Sequence, residues 1–194
     1  AAVAPQVNGR GNVSFRGINK DALLLGITPD FLTVREFDLA EGRFITQDDV
    51  ERNQRVAVIG SEIATEFFKN VDPVGEKLRV RNLTFDVVGV LEEKGASLGT
   101  NQDNAVYMPL TTMANQIIGR TSPYGTEVTF ISVSSKSEEQ VRAMTFQIEN
   151  LLRLRHKIVD ENDFTVRSQQ DLLEVANTIT GALTTMLAAI AGIS

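Results

Sequence analysis

RVAVIGSEIATEFFKNVDPVGEKLRVRNLTFDVVGVLEEKG, residues Arg55 to Gly95, sets the fold class. Val56-Ala57-Val58-Ile59 is a short apolar run closed by Gly60, after which Ile63, Ala64, Phe67 and Phe68 recur at helical spacing. A strand running into a helix is therefore expected. Asp72-Pro73-Val74-Gly75 fits a type I turn, because proline presets the second position and glycine tolerates the fourth. Leu78 and Val80 then alternate with Lys77, Arg79 and Arg81, while Phe85, Val87 and Gly89 interleave with Asp86 and Val88. This pattern predicts two strands flanking Asn82-Leu83, each with one buried face.

Working toward the N-terminus, Asn12 to Phe15 and Ala22 to Ile27 read as strands joined around Gly17-Ile18-Asn19. Thr28-Pro29-Asp30 opens a helix, with threonine as N-cap and proline at the first helical position. Glu41-Gly42-Arg43 is a turn, and Thr46-Gln47-Asp48-Asp49 resembles a capping box. Toward the C-terminus, a polar loop spans Lys94 to Asn104, a strand covers Val106 to Met108, and a helix follows near Thr112 to Ile118. The Gly/Ser/Pro segment Gly119 to Gly125 marks a boundary. Glu127 to Val133 suits a strand covered in part on both sides. Ser137-Glu138-Glu139-Gln140 has the capping-box spacing, and Val141, Met144, Ile148 and Leu151 form one apolar stripe behind it. That stripe is expected to pack on the sheet carrying Val128 and Phe130. Phe164 to Arg167 reads as a last short strand before a helix beginning near Asp171.

The chain has 194 residues, enough for one large domain or two small lobes. A net charge of -6 gives no electrostatic reason to bind nucleic acid or an anionic membrane surface. Cysteine is absent, which removes disulfides, thiolate zinc sites and thiol catalysis together. Ala1 to Val7 lacks the basic and apolar regions of a secretory signal, so export would be directed by something upstream. From Val175 to Ser194 there is no charge, and about twenty residues is the length a helix needs to cross a bilayer. Asn177, Thr178, Thr180, Thr184 and Thr185 make the first half polar, and only Met186 onward is membrane-like. A helix rising from the domain into a membrane span is expected; the competing reading is an amphipathic helix packed on the domain.

Chemistry-bearing constellations are sparse. His156 is the only histidine, so a site with two imidazoles cannot form within one chain. Gly60-Ser61 lacks the G-x-S-x-G elbow. With Arg153, Arg155 and Lys157, His156 lies at a helix end, where positive charge complements exposed carbonyls by about 0.3 to 1 kcal/mol. The carboxylates Asp48/Asp49, Glu92/Glu93 and Asp160/Glu161/Asp163 are adjacent in sequence without EF-hand spacing, so solvated charge is expected. Gly95-Ala96-Ser97-Leu98-Gly99-Thr100 has neither the glycine spacing nor the Lys-Ser/Thr of a phosphate loop. No catalytic, cofactor-binding or metal-binding residue is assigned.

Taken in order, these segments resemble the periplasmic core domain of MacB-type ABC transporter permeases, the macrolide-exporter and FtsX-like families. The Arg55 to Gly95 stretch carries the resemblance first, then Val106-Tyr107-Met108-Pro109-Leu110, then Leu152-Arg153-Leu154-Arg155-His156 with Asp163-Phe164-Thr165-Val166. Leu187 to Ser194 resembles the start of the family's second transmembrane helix. One departure is that the family's helix between its first membrane span and the segment matching Val3-Ala4-Pro5 is not contained in this chain.

The resemblance implies an α+β fold of two lobes. Residues 1–45 and 125–170 would form a porter-like α/β lobe, 46–124 an inserted strand-rich lobe, and 171–194 a stalk helix leading into a membrane span. It further implies an extracytoplasmic domain, held at the inner membrane, that binds a partner or substrate and relays ATP-driven movement. ATP would be hydrolysed by a separate nucleotide-binding subunit or domain. The implied partners are a second copy, that ATPase, a periplasmic adaptor or outer-membrane channel, and the membrane through flanking helices. Two rival readings are an extracytoplasmic enzyme with a dispersed site and a soluble interaction scaffold with a packed C-terminal helix.

Overall fold

A computed structural model describes residues 2–69, 71–97, 100–119, 125–135 and 137–193. The chain divides into two compact units, Ala1–Ser134 and Ser135–Ser194.

The first unit opens with a long hairpin, β1 (Ala2–Phe15) and β2 (Ile18–Ile27). Both strands extend well beyond the segments read from sequence, because polar residues of β1 such as Asn8, Arg10 and Asn12 interrupt its apolar pattern yet keep the pairing from Gln6↔Ile27 to Phe15↔Ile18. Arg16 and Gly17 make the turn with positive φ. Helix α1 (Phe31–Val34) starts later than expected, at Asp30 rather than Thr28, and has no side-chain cap. Residues expected to turn at Glu41-Gly42-Arg43 instead complete β3 (Leu39–Gly42), with Gly42 at φ 75. The capping box forms as read: α2 (Gln47–Glu51) starts behind Thr46, whose side chain and that of Asp49 bond each other's backbone.

Strand β4 (Val56–Ile59) is wholly buried and runs into α3 (Ser61–Phe67) through Gly60. A Cβ on Gly60 would lie 2.3 Å from the Asp103 carbonyl oxygen, so only glycine fits that approach. The next turn is displaced by one residue: Glu76 N–H donates to the Pro73 carbonyl, and Gly75 takes φ 92. The hairpin β5 (Lys77–Val80) and β6 (Leu83–Leu91) turns at Arg81-Asn82, one residue earlier than read. The loop expected from Lys94 to Asn104 contains a small hairpin, β7 (Ala96–Ser97) with β8 (Thr100–Asn101). Strand β9 (Ala105–Pro109) enters a helix that begins as α4 (Leu110–Thr112) and continues as a π-helical turn over Met113–Ile118. Most of the Gly119 to Gly125 boundary lies outside the described residues. Strand β10 (Phe130–Ser134) closes the unit.

Eight strands form one sheet in the order β10-β1-β2-β9-β4-β6-β3, and β5 pairs with both β1 and β6. That double pairing closes a circuit β1-β2-β9-β4-β6-β5, a small barrel-like ring with β10 and β3 as flaps. Inside it pack Val13, Leu24, Ala57, Ile59, Leu78, Val80, Phe85, Val87, Val106 and Met108, with α3 and Met113 against them. A second cluster, including Phe31, Phe37, Ile45, Val58, Leu91 and Tyr107, lies under α1 and α2. Met113 fits where two glycines leave room: an added Cβ would come within 2.6 Å of it from Gly9 and 2.4 Å from Gly26. β3 before Ile45 and β4 after it both pair with β6.

The second unit contains a 3-10 turn over Glu138–Gln140, α5 (Val141–His156) and α6 (Gln169–Ile193). The Ser137 capping box does not form: Gln140 is the N-cap and makes no side-chain bond, because the intervening turn is wound tighter. No residue of α5 is fully buried, and Leu151 is 54% exposed, so the expected stripe is only half covered. Phe164 to Arg167 is irregular rather than a strand.

Candidate functional site

Helix α5 ends in Arg153, Arg155 and His156, with Lys157 in the left-handed conformation as C-cap. The histidine lies at the helix end as its basic neighbours suggested, and its Nδ1 is 2.9 Å from Asp163 Oδ1. Its ring meets Phe164 edge-on at 6.0 Å. Arg153 Nη1 donates to the Asp160 carbonyl at 3.0 Å and to Asn162 Oδ1 at 2.5 Å, and its Nη2 donates to the Val159 carbonyl. Two side chains from the last turn of α5 thus hold the segment leading to α6. Of the carboxylates expected to be merely solvated, Asp163 is engaged here.

Helix α6 begins with a capping box that sequence reading passed over. Ser168 N–H donates to Asp171 Oδ2 at 2.7 Å, and Asp171 N–H donates to Ser168 Oγ at 3.1 Å. The backbone bond and then the hydroxyl of Ser168 hold the Asp171 carboxyl below its ordinary value. The same S-x-x-D spacing could have found it. From here the helix runs unbroken for 25 residues, about 37 Å at 1.5 Å per residue.

Three of its threonines satisfy their hydroxyl donors within the helix. Thr178 Oγ1 donates to the Glu174 carbonyl, Thr184 to Thr180, and Thr185 to Gly181, each at 2.9 Å. Back-bonding of this kind satisfies the hydroxyl donor within the helix itself, so part of the polarity read in the first half of the segment is met by the helix backbone. Val175, Ile179, Leu183, Met186 and Ile190 are all more than half exposed. Among the described residues no helix is long and apolar enough to cross a membrane; Ser194 lies outside them.

In the first unit the carboxylates do structural work. Asp49 is 5% exposed and accepts from Arg43 Nη1 at 2.6 Å, Arg43 Nη2 at 3.2 Å, Thr46 N–H at 2.9 Å and Thr46 Oγ1 at 2.8 Å. Burial pushes its carboxyl up, but the arginine and the two threonine donors outweigh this and hold it below the ordinary range. This corrects the expectation of solvated charge for Asp49, because its carboxylate turns inward to close the cap. Asp103, 7% exposed, accepts from the Lys94 and Gly95 N–H groups at 2.9 and 2.7 Å and so ties the base of the β7–β8 hairpin. Lys94 Nζ donates to the Arg35 and Glu36 carbonyls and lies 4.4 Å from the Phe37 ring centroid. Lys20 bridges Glu62 and Glu66. Its hydrogen bond holds the Glu62 carboxyl below the ordinary value. Burial and the Asp103 charge push the Tyr107 hydroxyl up; it donates to the Gln102 carbonyl. The expected phosphate-loop look-alike at Gly95 to Thr100 is this small hairpin; Leu98 and Gly99 lie outside the described residues. Among the described residues no group of three or more His, Cys, Asp or Glu side chains could hold a metal ion.

No catalytic cluster stands out among the described residues; the first unit holds a closed strand ring, and the second a helix pair whose junction is tied by side chains. Residues 1–151 match the family described as MacB-like periplasmic core domain. The chain belongs to that family. Relatives include macrolide export ATP-binding/permease proteins MacB from Rhodospirillum rubrum, 35% identical over 100% of this chain and 29% of that protein, and from Bdellovibrio bacteriovorus, 28% identical over 99% and 29%. The chain thus spans under a third of the length of these relatives. In fold it is similar to the periplasmic region of MacB from Actinobacillus actinomycetemcomitans, with a TM-score of 0.74 at 22% identity over 91% of this chain and 76% of that one. The extracellular domain of the noncanonic ABC-type transporter YknZ from Gram-positive bacteria is also similar, with a TM-score of 0.67 at 20% identity over 80% and 75%. The mixed α+β fold of this MacB-like core domain is that of the MacB periplasmic region.

Proposed function

We propose that this MacB-like core domain is the extracytoplasmic relay of an ABC export permease, with α6 as the stalk that couples it to an inner membrane. The observation that carries the reading is α6 itself. Its backbone is uninterrupted over Gln169–Ile193, and the hydroxyls of Thr178, Thr184 and Thr185 are bonded within the helix. Such a rod transmits axial and rotational displacement with little internal loss. The capping box at Ser168 and Asp171 fixes where the rod begins, and Arg153 and His156 tie the segment before it.

In this reading ATP is hydrolysed elsewhere in the transporter, by a nucleotide-binding subunit or domain, and the domain acts as one half of a homodimer. It faces the periplasm or exterior, where an adaptor, a channel or the substrate meets it. Thr180→Pro in the complete transporter tests the relay, because proline in a helix interior removes a hydrogen bond and costs about 3 kcal/mol or more. Basal ATPase activity should persist while transport or partner activation is lost. Normal transport despite a kink verified by spin-label distances would make the domain a passive docking platform.

A further inference from the structure

The strand ring of the first unit is made of two three-stranded leaves. In one, β2 pairs with β1 from Gln6↔Ile27 to Phe15↔Ile18 and with β9 from Leu23↔Ala105 to Ile27↔Pro109. In the other, β6 pairs with all of β5, from Lys77↔Asp86 to Val80↔Leu83, and with all of β4, from Val56↔Asp86 to Ile59↔Val90. Between the leaves the strands pair along two narrow seams. β4 meets β9 through Val58↔Tyr107 and Ile59↔Val106, and β1 meets β5 through Val13↔Val80 and Ser14↔Arg79.

The seams are closed in different ways. Every residue of β4 and β9 is buried. Just past one end of their seam Gly60 N–H donates to the Ala105 carbonyl at 2.9 Å, and beyond the other end Thr112 Oγ1 donates to the Gln54 carbonyl at 2.8 Å. That side of the ring is fixed from within. The β1–β5 seam is held from outside by one residue. Arg81 N–H donates to the Asn12 carbonyl at 2.8 Å, and the side chain then crosses β1 where Gly11 leaves room, since an added Cβ would lie 2.9 Å from Arg81 Nε. Its Nη2 donates to the Arg10 carbonyl at 2.8 Å and its Nη1 to the Ile117 carbonyl at 3.0 Å. Arg81 also holds φ 52, a left-handed conformation that costs a non-glycine residue free energy and persists where the surroundings impose it. The nearby ion pair of Arg16 with Glu76 is open to solvent and adds little.

We propose that the ring works as a clasp, opening at the β1–β5 seam about the β4–β9 seam as hinge, with Arg81 as its latch, while each leaf keeps its own pairing. The open form is a minor state, because Phe15 packs on Phe68 with ring centroids 4.2 Å apart and opening exposes apolar surface along with the two seam pairs. The latch is wired to the π-helical turn. That turn places Met113 in the ring core at its first residue and presents the Ile117 carbonyl near its last. Winding of this kind is rare and recurs at functional sites, and rewinding it as α would carry the Ile117 carbonyl away from the guanidinium. A change in the turn is therefore felt at the seam. The device lies within the first unit and stands whether or not the relay reading does.

Because the Asn12 carbonyl accepts from Arg81, Asn12 and Ser14 turn their backbone groups to β5, and Gly11 and Val13 turn theirs to β2. Hydrogen exchange under native conditions thus reads the seam at the Ser14 and Arg79 amides and the intact leaf at the Val13 and Ala22 amides. Arg81→Ala removes two charge-assisted hydrogen bonds and should speed exchange at the seam by about tenfold or more, with the leaf unchanged. A second measurement uses single thiols, which the absence of cysteine makes specific. Val80 and Val106 are both 0% exposed, one at each seam. In the otherwise unchanged chain Val80→Cys should react with a thiol reagent about tenfold faster than Val106→Cys, because sub-global opening reaches only the first. This comparison decides the matter even if Arg81→Ala does not fold. Equal reaction of the two thiols overturns the proposal, since the ring then opens only by unfolding as a whole. So does an Arg81→Ala chain in which seam and leaf amides speed up by the same factor, which would make Arg81 a general stabiliser.

Discussion

Asp49→Ala should cost the first unit about 2 to 3 kcal/mol at neutral pH. Two contributions set that figure. Removing the carboxylate half of the capping box leaves the Thr46 N–H without its acceptor, an effect of about 1 kcal/mol. The paired arginine adds about 1 to 2 kcal/mol, and toward the lower end because the Arg43 side chain is 47% exposed and recovers water while the Asp49 side chain is buried. The pH dependence follows from the depressed carboxyl of Asp49. A group with a lowered folded-state pKa contributes stability that is present above its unfolded value, about 3.9, and lost as pH falls through the folded value. The difference between wild type and Asp49→Ala should therefore be constant from neutral pH to about 5 and shrink below about 4. Urea titrations followed through the near-ultraviolet signal of Tyr107, which sits in the core of this unit, measure it. A loss under about half a kcal/mol at pH 7, or a difference that grows on acidification, would refute the account of Asp49 as a buried cap.

Gly26→Ala should destabilise by about 1 to 3 kcal/mol, because the added Cβ would meet Met113 Cβ at 2.4 Å and the Leu110 Cα at 3.3 Å, neither of which can swing aside. Gly9→Ala should cost clearly less, since it meets only the terminal methyl of Met113, and equal losses in denaturant melts would contradict this. Ile148→Ala should fall short of the 2 to 5 kcal/mol of a full core truncation, because no α5 residue is fully buried; a loss in that range would show that the helix is covered by a partner.

The stretch from Arg55 to Gly95 was legible because its period is simple and its signals are local. A buried strand reads as a continuous apolar run, and β5 and β6 alternate cleanly. The ring was not legible. Its closure rests on Val13↔Val80 and Ser14↔Arg79, a contact between residues far apart in sequence that no period encodes. Turn positions slipped by one residue at Gly75 and Arg81 because proline and asparagine bias a turn without fixing which of its places they occupy. Ser137 and Ser168 carry similar capping signals, yet only the second closes a box, since Glu138–Gln140 winds as a 3-10 turn first. The tie between α5 and α6 was half visible: His156 and Arg153 were placed at a helix end, but of their partners Asp163 was read as solvated charge and Asn162 was not singled out.

The back-bonded threonines of α6 lower the cost of moving the helix out of water. A hydroxyl that already donates to its own backbone has one hydrogen bond fewer to lose on leaving water, while the exposed Val175, Ile179, Leu183, Met186 and Ile190 gain wherever apolar surface meets them. Asp171 and Glu174 are the only charges on the helix and both sit in its first two turns. Past them the helix carries no charge that would hold it in water.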